Sequence, residues 1–420
     1  MEKQKTKSLK MFEVDPIIFS LSNGVKVAYL QRDAFVAHMG VMIHGGARFE
    51  RQDEEGLAHF IEHCIFKGTK KRTAFDIFTD LDSVGGELNA YTNKEEICVH
   101  ASFRKTHFGI ASELLGDIVQ NATFPKEEIE KEKEVVLDEI ISYMDNPAER
   151  IFDEFEAKIF KGNSLGYNIL GNKVSVSGFT RDHIVNYIER YFKAENTVIS
   201  FVGDVPIDQV REVLETDFGQ MRSGEVDLNS AEIPTIDTFR LIDKKSNFQT
   251  HTVIGGRAPS YNDPKRRAMT LLTNVLGGPA LNSRLILSLR EKYGYAYNIE
   301  ANYTAYSDAG FWSVYMGTDK KYLKKAIALI YEELALMVDK NLSAKELVHA
   351  KEQLKGHIAL SLDSNMELMF SIGKSVMIHG KVDSIQEVYN QIDAIDLSEL
   401  GDVAKANFSR QQMSELVYEF

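Results

Sequence analysis

The chain has 420 residues, of which 44% are hydrophobic and 26% are charged, and its formal net charge is −13. This length exceeds one ordinary hydrophobic core and predicts two domains, while the acidic balance disfavours nucleic acid, whose phosphates reward basic surfaces. No apolar run long enough for a signal peptide or a membrane span is present, and the only cysteines are Cys64 and Cys98. We therefore expect a cytoplasmic protein without a membrane segment.

The first predicted elements are strands. Residues 17–21 and 25–31 flank Asn23-Gly24, and Asn-Gly between apolar runs is a strong hairpin signal. A third strand is predicted at residues 37–44, and a helix is predicted to begin near Gly56. The chain therefore opens with a small sheet that leads into a helix.

That helix carries His59, Glu62 and His63. Residues three and four apart share one helix face, so the three side chains converge. Two imidazoles at this spacing can bind one tetrahedral zinc ion, and a carboxylate beside them can act as a base. The alternative is a pair of histidines that share a helix without binding metal. The pattern favours a hydrolase that holds about one zinc ion per chain.

Further acidic and polar candidates follow in the chain. A helix is predicted at residues 73–83, and the next segment, which contains Asn89 and Ala90, leads into a strand. Helices are then predicted at residues 106–121 and 127–143. The second of these carries Glu132 and Glu139, which lie two turns apart on one face. Such glutamates are either part of a site or an ordinary solvated face, and Asn89 is otherwise a turn residue after two glycines.

The remaining sequence divides the chain and then repeats its first half. Helices at 148–160 and 180–192 and a strand at 197–202 precede a polar segment without periodicity. We predict domains at 1–222 and 236–420, joined by a linker at 223–235. The segment that begins at Phe124 recurs at Leu342, an offset of 218, and the segment at Phe66 recurs at Leu276, an offset of 210. At these offsets the metal-competent residues of the first half are replaced by Met269, Leu272, Thr273 and His357.

The inverted His-x-x-Glu-His order and a glutamate 76 positions after the second histidine resemble the pitrilysin and mitochondrial-processing-peptidase family of zinc metallopeptidases. The resemblance implies an α+β fold of two structurally similar units, each a mostly antiparallel sheet covered by helices, in a clam-shell assembly. It also implies a role for each candidate residue. Zn²⁺ would be bound by His59, His63 and Glu139, the general base would be Glu62, the site would be supported from outside the ligands by Glu132, and an extended substrate would be held by Asn89 and Ala90.

The second half carries a further pair with a counterpart in this family. Arg290 and Tyr297, seven positions apart, match an arginine and tyrosine pair of the family. A guanidinium and a phenol can donate to a peptide carbonyl as it gains negative charge. The alternative is a surface arginine and a half-buried strand tyrosine. The resemblance implies that this pair acts in the zinc site of a second, identical chain, which predicts a homodimer with shared active sites.

The expected function is a zinc-dependent endopeptidase that hydrolyses unfolded peptides or precursor segments inside a chamber. Glu62 would take a proton from the attacking water and pass it to the leaving amine. The acidic net charge favours basic peptides. One alternative is a catalytically silent scaffold or partner subunit, which the complete motif disfavours. The other is a hydrolase of non-peptide substrates, which the predicted edge strand at Asn89 disfavours.

Overall fold

Two β-sheets, one from each half of the chain, lie at the centre of the protein. The structure is a computed structural model that describes residues 15–228, 231–244 and 249–419. The strands of the first sheet are β1 (Ile17–Ser20), β2 (Lys26–Gln31), β3 (Val36–His44), β4 (Glu87–Thr92), β5 (Glu96–Arg104) and β6 (Thr197–Gly203). Those of the second are β7 (Arg240–Lys244), β8 (Thr250–Arg257), β9 (Ala296–Ala305), β10 (Gly310–Thr318) and β11 (Ser414–Glu419).

Helices surround both sheets. In the first half they are α1 (Leu57–Cys64), α2 (Ala74–Asp82), α3 (Phe108–Asn121), α4 (Lys126–Met144), α5 (Pro147–Ile159), α6 (Lys173–Gly178), α7 (Arg181–Tyr191) and α8 (Ile207–Phe218). In the second half they are α9 (Arg266–Gly277), α10 (Leu323–Asp339), α11 (Ala344–Ser361), α12 (Asn365–His379), α13 (Ile385–Ala394) and α14 (Leu397–Phe408), with a π-helix at Ile286–Lys292. Among the described residues no helix is both long and apolar enough to cross a membrane.

The two sheets have the same strand order. The first runs β1-β2-β6-β3-β5-β4 and the second runs β7-β11-β8-β10-β9. In each sheet one pair is parallel, β2 with β6 and β7 with β11, and the other described pairs are antiparallel. Apart from β1, each strand of the first sheet therefore has a counterpart in the second. The predicted α+β fold of two similar, mostly antiparallel units is confirmed.

The central strand β6 shows why helices lie on both faces of the first sheet. All seven of its residues are buried. Ile199 and Phe201 belong to the core that the sheet forms with α1, α3, α7 and α8, whereas Val198 and Val202 pack on the opposite face against α12. Alternate residues of a strand point to opposite faces, so a strand that is apolar at nearly every position requires cover on both.

The helix that covers this second face belongs to the other half of the chain. α12 packs on β3 and β6 of the first sheet through Met369 and Ile372, while α5 packs on β8, β10 and β11 of the second through Phe155. α11 and α12 begin 218 residues after α4 and α5, so α5 and α12 occupy equivalent places in the repeat. The helices of each unit therefore cover one face of that unit's own sheet and one face of the other unit's sheet.

The described part of the predicted linker, residues 223–228 and 231–235, contains neither helix nor strand. Residues 229 and 230 of this linker lie outside the described residues. The boundaries at 222 and 236 stay a prediction. Because α5 and α12 each pack on the sheet of the other unit, the two cores depend on each other.

Candidate metal centre

The motif helix α1 is fixed in place by its apolar face. Leu57, Phe60 and Ile61 are fully buried in the first core. These positions leave His59, Glu62 and His63 on the side that faces α4, with which α1 is in contact. The helix begins after Gly56, whose φ of 90° is in the left-handed region, and a Cβ at this residue would meet Gly171 at 2.5 Å. Glycine is therefore required where the chain enters the helix.

α4 brings Glu139 to the two histidines. Glu139 Oε2 lies 3.8 Å from Nε2 of His59 and 3.4 Å from Nε2 of His63. The ligand atoms of all three residues lie within 4.8 Å of one another. Metal–ligand bonds of about 2.0–2.1 Å in a tetrahedron separate the ligand atoms by about 3.3 Å. The donor set therefore fits one zinc ion with a fourth position left open, and the three ligand atoms lie close enough for a small adjustment of the side chains to bring them to that spacing.

Burial sets the charge state of the first histidine. His59 is 8% exposed, and burial together with the neighbouring His63 lowers the pKa of His59 to about 4. A neutral imidazole is the form that binds a metal ion. The described residues offer no hydrogen-bond partner to Nδ1 of His59.

Glu62 is the carboxylate placed between the two histidines in sequence. Burial raises the pKa of Glu62, whereas hydrogen bonds from the hydroxyl and backbone N–H of Thr92 oppose this rise. A carboxylate whose pKa is raised toward neutrality is better suited to accept a proton from water and then to release it. Thr92 is the last residue of β4, so the strand beside the centre also holds the Glu62 side chain in position.

Glu132 and Lys67 support the second histidine. Glu132 Oε2 lies 3.3 Å from Nδ1 of His63, and its Oε1 lies 2.7 Å from Nζ of Lys67. A carboxylate that accepts from Nδ1 leaves Nε2 of His63 free to bind the ion. Glu132 is not part of the group of His59, His63 and Glu139 and contacts it through His63.

Within the part of the chain that the structure describes, one edge of β4 pairs with no strand, and this edge strand lies beside the centre. It is the last strand of the first sheet, pairs with β5 and contacts both α1 and α2. Asn89 and Ala90 lie in the middle of β4, and Asn89 Oδ1 accepts a hydrogen bond of 2.8 Å from the backbone N–H of Ala90. The unpaired edge of β4 can accept an added strand.

Arg290 and Tyr297 lie in the second unit. Arg290 is part of the π-helix and forms an ion pair of 3.6 Å with Glu291. Tyr297 is the second residue of edge strand β9, and 85% of its surface is exposed. No contact between described residues joins this pair to the metal-competent group of the same chain. Both side chains are exposed enough to reach a neighbouring molecule.

The equivalent place in the second unit has a different chemistry. α9 and α11 pack together as α1 and α4 do, but Met269 and Leu272 are buried at the positions of His59 and Glu62. His357, the counterpart of Glu139, lies 3.1 Å from Oδ1 of Asn274 through its Nδ1. Among the described residues, the group of His59, His63 and Glu139 is the one with metal-binding geometry.

Three further residues support the centre and were not predicted from the sequence. Glu50 accepts hydrogen bonds from the start of α1, Lys67 pairs with Glu132, and Thr92 hydrogen-bonds Glu62. Lys67 lies beyond the end of α1 at Cys64, so helix spacing does not mark it, and its positive charge beside an acidic helix is the one signal the sequence offers. Glu50 and Thr92 come from a turn and a strand end, where no periodic pattern marks them.

Comparison with known proteins agrees with this geometry. Residues 26–173 match the family model "Insulinase (Peptidase family M16)", and residues 178–354 match "Peptidase M16 inactive domain". The first match contains the metal-competent group. The second begins at residue 178, still within the first unit, and continues across the linker into the second unit.

Full-length relatives and solved structures extend the comparison. The chain is 32% identical over 401 residues to the uncharacterized zinc protease YmxG of Bacillus subtilis, which covers 95% of this chain and 97% of that protein. A peptidase M16 inactive domain from Pseudomonas fluorescens superposes with a TM-score of 0.90 at 16% identity, over 97% of this chain and 98% of that one. A protease from Helicobacter pylori gives 0.87 at 19% identity, over 97% and 100%. The two structures share the fold, and the relative's identity over nearly its whole length shows that this chain belongs to peptidase family M16.

Proposed function

We propose that the protein is a zinc-dependent endopeptidase. The observation that carries this proposal is the convergence of His59, His63 and Glu139, whose ligand atoms lie within 4.8 Å of one another. When bound there, zinc would polarise a water molecule and the scissile carbonyl. The relatives named zinc proteases agree with this class of chemistry.

The chain's own residues would perform the proton transfers. Glu62 lies on the same helix face as the two histidines, and its raised pKa suits a group that takes a proton from the attacking water and passes it to the leaving amine. Glu132 would keep the His63 ring in its binding orientation. Each role matches the position of the side chain relative to the group.

Peptides are the substrate class that the surroundings favour. Strand β4 offers an unpaired edge next to the centre, and an added strand is held through its backbone whatever its side chains. Asn89 and Ala90 would contact such a strand. An extended segment is required for this pairing, so unfolded peptides and precursor segments fit the site, whereas stably folded proteins do not.

The test separates metal binding from turnover. Glu62→Gln should retain about one zinc ion per chain and lose turnover of a peptide mixture read by mass spectrometry. Glu139→Ala and His63→Ala should lose both zinc and turnover, and a chelator should inactivate the wild type. Glu130→Gln, an exposed change on the same helix as Glu139, is the control and should retain both. Full zinc content in Glu139→Ala would overturn the ligand assignment.

The name of the second family model raises a second candidate, a catalytically silent partner subunit. That model covers residues 178–354, whereas the metal-competent group lies in residues 26–173. The same peptide assay decides between the two candidates. A wild-type protein that binds zinc but cleaves no peptide, alone or with a related chain, would favour the silent subunit.

We also propose a homodimer in which the active sites are shared between chains. Arg290 and Tyr297 are exposed, and among the described residues no hydrogen bond or ion pair joins them to the metal-competent group of their own chain, as expected if they serve the partner's site. Mixing Glu62→Gln with an Arg290→Ala, Tyr297→Phe double variant tests this. After subunit exchange, half of the dimers would be mixed and each would carry one intact site of two, so activity should return to about a quarter of wild type. No recovery after demonstrated exchange would overturn the shared site.

A further inference from the structure

Glu50 holds the first turn of the motif helix. It is 6% exposed, and its two carboxylate oxygens accept hydrogen bonds from the backbone N–H groups of Gly56 at 2.9 Å and Ala58 at 2.7 Å. N–H groups at the start of a helix have no partner within the helix. Side-chain oxygens there satisfy these groups. Burial raises the pKa of Glu50 to about 8, and the two N–H bonds oppose this rise because they favour the ionised carboxylate. Glu50 therefore helps to fix where α1 begins.

Two residues before Glu50, Arg48 contacts the second unit. Arg48 is 2% exposed, and its Nη atoms lie 2.6 Å from Glu95, 3.1 Å from Oγ of Ser307 and 3.0 Å from Oδ2 of Asp308. Glu95 in turn accepts hydrogen bonds from the backbone N–H of Ser307, at 3.0 and 3.1 Å, and from its hydroxyl at 2.7 Å. Ser307 and Asp308 form the turn between β9 and β10. Because Arg48 and Glu95 are both buried, neither charge can exchange these partners for water without cost.

The segment that joins Arg48 to Glu50 has little freedom to move. Ala47–Phe49 is one turn of 3-10 helix, and the backbone N–H groups of Ala47 and Arg48 donate to the carbonyls of Asn93 at 3.0 Å and Lys94 at 2.8 Å. A Cβ at Gly46 would lie 2.3 Å from the Asn93 carbonyl oxygen, so the two backbones are in direct contact. A displacement of Arg48 would therefore be passed to Glu50 instead of being absorbed between them.

We propose that the second unit positions the metal centre through the contact of its β9–β10 turn with Arg48. Ser307 and Asp308 hold Arg48, and Glu50 holds the start of the helix that carries His59 and His63. Glu50, Arg48 and Asp308 are thus positioning residues that act on the ligands through α1. This proposal rests on the proposed metal site. It adds a role for the second unit, in whose described residues no metal-competent group is found.

The experiment compares Glu50→Gln, Asp308→Asn and their double variant in the full-length protein. A glutamine at position 50 has one acceptor oxygen, so one of the two helix N–H groups would face an amide NH₂. Ser200→Ala is the matched control, because the Ser200 hydroxyl donates a 2.7 Å hydrogen bond to the Met369 carbonyl at a different contact between the units. Two quantities are measured: the zinc dissociation constant by chelator competition, and hydrogen exchange of the α1 amides in the metal-free protein.

We expect Glu50→Gln to weaken zinc binding about tenfold and Asp308→Asn about threefold, with faster exchange at the start of α1 in both. Both substitutions act on α1 through residues 47–50. The zinc affinity of the double variant should therefore fall by less than the product of the two single fold-changes. Ser200→Ala should change neither quantity.

Three outcomes would overturn the inference. They are an Asp308→Asn variant that matches Ser200→Ala in both readouts, a double variant whose effects multiply, and unchanged α1 exchange in Glu50→Gln. Asp308 has an exposed side chain, so its variant still decides the question if Glu50→Gln does not fold. A wild type that binds no zinc would refute the proposed metal site alone, and exchange of the metal-free protein would still test the coupling.

Discussion

The contact between Glu132 and His63 allows a quantitative prediction. In Glu132→Gln the side chain keeps its shape but loses its charge and one acceptor. The remaining amide oxygen can face Nδ1 of His63 or Nζ of Lys67, whereas the carboxylate serves both, at 3.3 and 2.7 Å. The ring of His63 is then held less firmly with Nε2 toward the ion.

Partners of this kind typically change metal affinity 10–100-fold, so zinc binding should weaken by about 1.4–2.7 kcal/mol. The metal-free protein should lose about 1–2 kcal/mol of unfolding free energy. This is less than the loss of a fully buried ion pair, because the Lys67 side chain is 22% exposed and can turn toward water.

Chelator competition gives the first quantity, and denaturant unfolding of the metal-free protein gives the second. Glu130→Gln makes the same chemical change on the same helix, but that side chain is 58% exposed and should alter stability by less than about 0.5 kcal/mol. Unchanged zinc affinity in Glu132→Gln would refute the orienting role. Complete loss of zinc would make Glu132 a ligand and refute the triad.

Three further predictions concern packing and substrate. Phe155→Ala should cost about 3–5 kcal/mol of unfolding free energy, because its ring is fully buried against the second sheet; Phe75→Ala, at a residue that is 75% exposed, is the control. Gly373→Leu should destabilise the protein, since a Cβ there would meet Met42 at 2.4 Å. Gly356→Ala, where a Cβ would meet nothing within 4 Å, should add about 0.5–1 kcal/mol of unfolding free energy, and thermal unfolding measures both effects. Proteolysis assays should show cleavage of unfolded peptides and sparing of stably folded proteins, and a preference for basic peptides that falls with added salt; salt-independent rates would remove the charge argument.

Local physics made the strands and helices of the first half predictable. The Asn23-Gly24 turn separates β1 and β2, and the helices predicted at 127–143 and 148–160 are α4 and α5 to within one residue at each end. These elements depend on turn chemistry and on periodic burial, both of which are written in short stretches of sequence. The repeat was visible for the same reason, and its offset of 218 recurs in the starts of α11 and α12.

The candidate site was only partly predictable from local pattern. The spacing of His59, Glu62 and His63 is a property of one helix, so their shared face followed from the sequence. Glu139 lies 76 positions after His63, and no periodic rule connects residues on two helices. The resemblance to a known family supplied that distance, and the packing of α1 on α4 shows how it is bridged.

The sequence by itself therefore determined the elements, the repeat and the helix face that carries the motif, because each depends on neighbours in the chain. Tertiary structure alone decided the exchange of α5 and α12 between the sheets and the attachment of α1 through Glu50 to a turn that Arg48 links to the second unit. The helix exchange and the link from Arg48 to the second unit depend on which apolar faces and charges meet between distant parts of the chain, and such contacts are settled by the burial of whole surfaces.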